Sequence, residues 1–264
     1  MKIRIKFAKY GTLKFIGHLD VMRFFQKAIR RAGIDIKYSE GFSPHQIMSF
    51  AAPLGVGMES MGEYLDIEVN SITSVEDMKT ALNKTMVDGI EVLSVKILPD
   101  SSKNAMASVA AAAYAISYKE GSFPIEDMPQ KLTDFYAKES IVVTKKTKKS
   151  TMDMDLKPGI FELRMDKTLN IPSDTVAVDG KTLNIQGMIG DAGDKKLMSA
   201  IYMLVDASSS GNIKPSMVLD AFCAYCNVEL EPYSCQITRL DTYTRIIDEQ
   251  GEEKLVPLED AGHE

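Results

Sequence analysis

Residues 2–7 read Lys-Ile-Arg-Ile-Lys-Phe, a strict alternation of cation and apolar side chain. Successive side chains of a strand point to opposite faces, so Ile3, Ile5 and Phe7 define one face and Lys2, Arg4 and Lys6 the other. The apolar face needs a cover, and the next segment supplies one. Leu19 to Ala32 places Met22, Phe25, Ile29 and Ala32 at helical spacing, after a turn at Tyr10-Gly11 and before a stop at Gly33. Ile34, Ile36 and Tyr38 alternate as a second strand, and Tyr64, Leu65, Ile67 and Val69 as a third, beyond a loop rich in Gly and Pro. Ser74 is placed to cap a helix carrying Val75, Met78, Leu82 and Met86, with Glu76 and Asp77 in the first turn where the helix dipole favours acids. Gly89 ends it, and Ile90 to Leu98 forms a fourth strand. Strand, helix, strand, strand, helix, strand is the order of a ferredoxin-like unit, one sheet with two helices on a single face.

At ~100–200 residues per domain, a chain of 264 residues has room for a second unit. Asp100 to Ala113, polar and then alanine-rich, reads as the linker. Beyond it, strands are expected at Tyr114 to Tyr118, Ser140 to Lys146, Met152 to Leu156, Ile160 to Met165, Thr182 to Met188, Leu197 to Val205 and Ile237 to Ile247. Helices are expected at Ile125 to Ala137 and from Pro215 to Tyr225. The expected fold class is α+β, with two ferredoxin-like (βαββαβ) units in tandem and the second embellished. The units span residues 1–104 and 105–248, and 249–264 reads as a polar acidic tail.

The charge is unevenly placed. Residues 1–50 hold ten basic side chains and three acidic ones, whereas the whole chain carries a net charge of -6. That total argues against a general polyanion binder and leaves room for a local anionic ligand. Three cysteines, Cys223, Cys226 and Cys235, are odd in number and too few for a disulfide scaffold, which fits a reducing compartment. The N-terminus has no apolar core of a signal peptide, and no run reaches the ~18–20 residues of a membrane span. A cytoplasmic location without membrane contact is therefore expected.

Candidate site residues concentrate between Gly11 and Gly57. His18 and Asp20 stand at the start of the first helix, where free N–H groups attract negative charge. Arg23, Lys27 and Arg30 recur at spacings of four and three, with Arg31 beside them, which sets several cations along about two turns. The loop that follows, with Gly41, Pro44, Pro53, Gly55 and Gly57 fixing its path, offers Glu40, Ser43 and His45. His18, Asp20, Arg23, Lys27, Arg30, Glu40, Ser43 and His45 are the expected ligand-binding residues. Lys145, Lys146, Lys148 and Lys149 make a second basic cluster. His18, Asp20, Glu40 and His45 show no familiar metal-binding spacing, so neither a metal nor a cofactor is expected. Cys223 and Cys226 fall on an apolar helix and read as buried packing thiols.

Gly17-His18-Leu19-Asp20, Arg30-Arg31-Ala32-Gly33, Tyr38-Ser39-Glu40-Gly41-Phe42-Ser43-Pro44-His45, Pro53-Leu54-Gly55 and Glu63-Tyr64-Leu65-Asp66 together resemble the radical-SAM-linked protein family. This is a bacterial domain of unknown function, found beside a radical S-adenosylmethionine (radical SAM) enzyme or fused to it. The helix start at Ile213-Lys214-Pro215, Val218-Leu219 and Thr238-Arg239-Leu240 are similar to its C-terminal region, so the resemblance covers nearly the whole chain. It implies a separate radical SAM enzyme as partner, because this chain has no Cys-x3-Cys-x2-Cys of its own. The expected role is an accessory or substrate-binding protein without intrinsic catalysis. Its basic N-terminal surface would hold an anionic partner such as structured RNA. The alternative is a metal-independent RNA-processing endonuclease with His18 or His45 as general base.

Overall fold

The computed structural model describes residues 1–146, 151–165, 175–178, 181–184 and 200–260. The chain is mixed α and β with mostly antiparallel strands, and it divides into two compact units. Met1–Ala110, Val176–Thr182 and Arg239–Glu264 make the first, Ala111–Thr175 and Leu183–Thr238 the second. No helix among the described residues is long and apolar enough to cross a membrane.

The first unit runs β1 (Lys2–Lys9), α1 (His18–Arg31), β2 (Met48–Phe50), β3 (Glu59–Glu68), α2 (Val75–Asn83), β4 (Ile90–Leu98) and the single turn α3 (Ala105–Ser108). β1 lies between β3 and β4, antiparallel to both, and β2 pairs on the far side of β3. Ile3, Ile5 and Phe7 meet Val21, Phe25 and Ile29 of α1 and Met78 and Leu82 of α2 in one apolar core. Ser74 caps α2 as expected, its Oγ accepting from the Asp77 N–H at 3.0 Å.

Two local expectations fail here. Ile34 to Tyr38 is no strand; its alternation yields isolated bridges, Ile36 to Val69 and Tyr38 to Gln46. The strand that pairs is Met48–Phe50, too short to show a period of its own. The alanine-rich stretch does hold the boundary between the units, after Ala110, but much of it is regular and buried. Ala105 is fully buried in α3, and Ala111–Tyr118 is a strand whose alanines are buried. Alanine carries the same small side chain in a loop and in a crowded strand, so composition misled.

In the second unit, β5 (Ala111–Tyr118), α4 (Met128–Tyr136), the hairpin of β6 (Val142–Lys146) and β7 (Thr151–Asp155), and β8 (Ile160–Arg164) come first. β9 (Thr175–Val178) and β10 (Lys181–Asn184), most of whose residues belong to the first unit, pair with each other, and β11 (Ile201–Asp206) and α5 (Pro215–Tyr225) follow in the second. Residues 185–199, on which two expected strands partly fall, lie outside the described residues. β12 (Cys235–Ile247) comes next, with Cys235–Thr238 in the second unit and Arg239–Ile247 in the first. The strand order of the second unit is β12-β5-β11-β8.

Residues 249–260 are not a tail. β13 (Glu253–Pro257) pairs antiparallel with β12, and the turn Leu258–Asp260 buries Leu258 completely beside Tyr64, Ala51 and Ala105. The acidic composition suggested solvent, yet Leu255, Val256 and Leu258 give the segment enough apolar surface to dock.

β3 and β12 approach closely at Gly62, where a Cβ would fall 2.6 Å from Asp241 Oδ1, 3.0 Å from the Leu240 carbonyl and still nearer the Asp241 backbone. Gly62→Ala is therefore expected to destabilise the protein by about 2–3 kcal/mol through overpacking. Gly17→Ala, whose Cβ meets only Asp20 Oδ2 at 3.9 Å, should cost less, about 0.5–1 kcal/mol, because Gly17 is the N-cap of α1 and alanine is disfavoured there. Urea denaturation midpoints of the two variants check this.

Candidate functional site

The polar face of β1 points inward at Arg4 and Lys6, which corrects the expectation of a basic surface there, while half-buried Lys2 donates to the Asp100 and Ser102 carbonyls. Arg4 is 2% and Lys6 1% exposed. The Arg4 guanidinium grips Asp66 with two bonds, Nε to Oδ1 at 2.8 Å and Nη2 to Oδ2 at 2.9 Å, and Nη1 donates to the Leu258 carbonyl at 2.8 Å. Lys6 Nζ sits between Asp241 Oδ2 at 2.8 Å and Glu259 Oε1 at 2.6 Å. Tyr64 donates its hydroxyl to Asp241 Oδ1 at 2.7 Å, and Ser94 donates to Glu259 Oε2 at 2.7 Å. Arg239 Nη1 donates to Glu63 Oε1 at 2.8 Å and to the Ala52 carbonyl at 3.0 Å. Lys9, also buried, donates to the Ile16 carbonyl at 3.0 Å. Burial depresses its ammonium below the ordinary lysine value, and the Glu63 carboxylate offsets that only in part. Each of these cations already faces a partner, so the layer is internal structure and offers no free charge to a ligand.

The exposed charge lies on α1. Val21, Phe25, Ala28 and Ile29 face the core, which leaves Arg23, Lys27, Arg30 and Arg31 on the opposite side, all exposed, with Asp20 as the acid at the start of the stripe. Arg23 is 68% exposed and stands 3.8 Å from Asp20, a distance at which a solvated pair counts for little. His18 is the first residue of the helix, and its ring sits edge-on to Phe50 with centroids 5.1 Å apart. That is a packing contact.

The loop beside α1 is a tight, internally bonded structure. Ser39 N–H donates to the His45 carbonyl at 2.8 Å, His45 N–H donates to Ser39 Oγ at 3.1 Å, and Ser39 Oγ lies 2.8 Å from His45 Nδ1. Gly41 takes φ of 109°, in the region that glycine alone enters readily. Gln46 Nε2 donates to the Gln26 carbonyl of α1 at 3.3 Å, and this joins the loop to the helix one position from Lys27. Gln46 Oε1 is buried with no partner among the described residues, so half of that amide holds the junction.

The structure thus brings Arg23, Lys27 and Arg30 to one face and sets the loop of His45 beside them. It does not bring His18 and His45 together as a catalytic pair: Gln26 is eight residues beyond His18, about 12 Å along the helix axis. Glu40 and Ser43 are exposed, and their side chains make no hydrogen bond among the described residues. Two exposed aromatics in this loop, Tyr38 and Phe42, are not among the expected site residues. Phe42 falls in no helical or strand period that would bury it, and Tyr38 stood in the alternation with Ile34 and Ile36 that forms only isolated bridges.

Over residues 2–215 the chain matches the family described as an uncharacterized protein conserved in bacteria, DUF2344. It belongs to that family. No curated protein matches it. The span shared with DUF2344 takes in the α1 stripe and the loop and ends at the first residue of α5, so Arg239, Asp241 and Glu259 lie beyond it.

In the second unit, a cavity of about 510 Å³ is lined by Leu219, Asp220, Cys223, Val228, Tyr233 and Cys235 among others. Burial, and secondarily Cys235, Cys226 and Asp220, push the Cys223 thiol up to about 11. Cys226 and Cys235 are raised by burial as well. All three are thiols rather than thiolates at neutral pH, and poor nucleophiles for that reason. Lys145 and Lys146 belong to β6, whereas Lys148 and Lys149 lie outside the described residues.

The buried layer gives a pH-dependent prediction. Burial alone would depress the Lys6 ammonium, and Asp241 and Glu259 reverse that and raise it. Burial pushes up the Glu259 carboxyl, and Lys6 more than cancels this and holds it below its ordinary value. For Asp241 burial outweighs Lys6, and the carboxyl stays above its ordinary value. Glu259 therefore adds stability at neutral pH that fades as pH falls through its lowered pKa, while Asp241 works in the opposite sense. Lys6→Met leaves both carboxyls without a counter-charge and should remove about 3–5 kcal/mol at pH 7.5. The loss should shrink as pH falls, because without Lys6 the buried carboxyls take up protons at higher pH than in the wild type and so shed their unanswered charge; urea melts of both proteins at pH 7.5 and pH 4.5 measure it.

Proposed function

We propose that the chain is a non-catalytic binding protein that holds an anionic partner, structured RNA, on the exposed face of α1, and that it serves a separate radical SAM enzyme. The observation that carries the binding reading is the α1 stripe. Once the cations of β1 are accounted for by internal partners, Arg23, Lys27, Arg30 and Arg31 still project into solvent against the single carboxylate of Asp20. Such a row attracts phosphates by releasing their counterions. The radical SAM partner rests on the family resemblance of the sequence.

The strand orders support reading both units as ferredoxin-like. The first has β4-β1-β3-β2, and the second β12-β5-β11-β8 with the β6–β7 hairpin inserted; each sets its fourth strand beside the first and its second strand outermost. A cytoplasmic location agrees with three unpaired cysteines.

With about four phosphates engaged, affinity for cellular RNA should fall roughly 50- to 150-fold between 50 and 200 mM salt, which is the slope expected of that number of contacts. Arg23→Ala with Arg30→Ala should flatten the slope by about 1.5 and leave the thermal midpoint unchanged, since both side chains are exposed. Filter binding across a salt series reads the slope. An unchanged slope in the double variant would remove RNA from the α1 face.

A further inference from the structure

We propose that Phe42 is a stacking platform for an unpaired nucleobase, so that the partner held on α1 is RNA with a single-stranded or looped segment. The inference rests on the reading of α1 as an RNA-binding face and narrows its substrate class.

Phe42 is fully exposed, the most exposed of the large apolar residues. Among the described residues it belongs to no core cluster and makes no ring contact, so the fold gains nothing there from it. Burying a Phe side chain is worth about 1.5–3 kcal/mol, and the loop forgoes this while holding the ring in water. The loop is closed by its own hydrogen bonds. Its two limbs are closed by the bridge from Tyr38 to Gln46 and by the Ser39–His45 bonds, and Gly41 and Pro44 shape the tip between them. A ring held out on a preformed loop binds at little ordering cost.

The surroundings favour a base over other apolar groups. Tyr38 at the foot of one limb is 45% exposed, and His45 on the other limb is exposed with its Nδ1 beside Ser39 Oγ, so three planar rings share one loop. The bond from Gln46 to Gln26 sets this loop against the stretch of α1 that carries Arg23, Lys27 and Arg30. Aromatic rings next to a cationic track form the general arrangement for single-stranded nucleic acid: phosphates follow the cations and bases stack on the rings. Glu40, exposed two residues from Phe42, repels phosphate from the tip itself and leaves the backbone to α1. A duplex cannot use such a ring, because its bases are already stacked and paired. An anionic membrane is also disfavoured, since one Phe beside a carboxylate gives neither the apolar area nor the charge of an interfacial anchor.

The test compares wild type, Phe42→Ala and Phe42→Tyr of the full chain by fluorescence anisotropy. The probes are a 12-nucleotide single-stranded RNA, a 12-base-pair RNA duplex, and vesicles containing phosphatidylserine. Phe42 is solvent-exposed, and matching circular dichroism spectra verify that the variants fold. Wild type should prefer the single strand. Phe42→Ala should weaken that binding roughly 5- to 150-fold and leave the duplex unchanged, and Phe42→Tyr should retain it. RNA binding by wild type that Phe42→Ala leaves intact, or weakens equally on strand and duplex, overturns the stacking role while the α1 reading stands. Absence of RNA binding by wild type overturns both. Phe42-dependent binding to vesicles without a matching effect on single-stranded RNA overturns the proposal in favour of a lipid surface.

Discussion

The ammonium of Lys6, enclosed between the carboxylates of Asp241 and Glu259, is the contact on which the first unit depends. A lysine in the central strand of a sheet, 1% exposed, is tolerable only if its charge is answered on the spot. The answer comes from the other end of the sequence, which obliges β12 to lie beside β3 and the turn at Leu258–Asp260 to close over the layer. Tyr64 and Ser94 complete the set by donating to the oxygens that Lys6 leaves. Gly62 follows from the same demand, because β12 at Asp241 comes too near for any side chain there.

This arrangement sorts the cations of the first fifty residues into two groups with different work. Arg4 is answered by Asp66, Lys6 by Asp241 and Glu259, Lys14 by Glu59 and Lys37 by Glu68. Arg23, Lys27, Arg30 and Arg31 share one face of one helix with a single acid. The charge asymmetry along the sequence is therefore in part a record of long-range pairing, four of the ten cations facing acids beyond residue 50, and the group on α1 is the exposed cluster that remains.

The alternation of Ile3, Ile5 and Phe7 and the helical spacing of Phe25 and Ile29 made the first core legible, because a buried face imposes its period on the sequence. The polar half of β1 was legible as a strand face but not as a buried one. Alternation reports that two faces differ, and what covers the second face is decided by residues more than two hundred positions away. The same limit hid the docking of β13 and the pairing of Glu63 with Arg239, although both residues stood in motifs that the sequence made conspicuous. Of the candidate site, Arg23, Lys27 and Arg30 were read from their spacing alone. Phe42 was passed over, since an aromatic in a loop carries no periodic signal and its exposure is visible only in three dimensions.

The distance in sequence across this layer has a consequence for how the unit forms. Arg4 reaches Leu258 and Lys6 reaches Asp241 across separations of 254 and 235 residues. The apolar face of the sheet closes on α1 and α2 with residues 1–98 alone, through contacts between neighbouring elements. The charged face cannot close then, because drying Lys6 without Asp241 and Glu259 leaves a buried charge whose desolvation costs several kcal/mol. Loop-closure entropy rises only slowly with length, so the wait for residues 239–260 adds little in entropy. It does fix an order: the helical side of the sheet can pack first, and the ionic side becomes dry only when β12 and the turn after β13 arrive with their carboxylates.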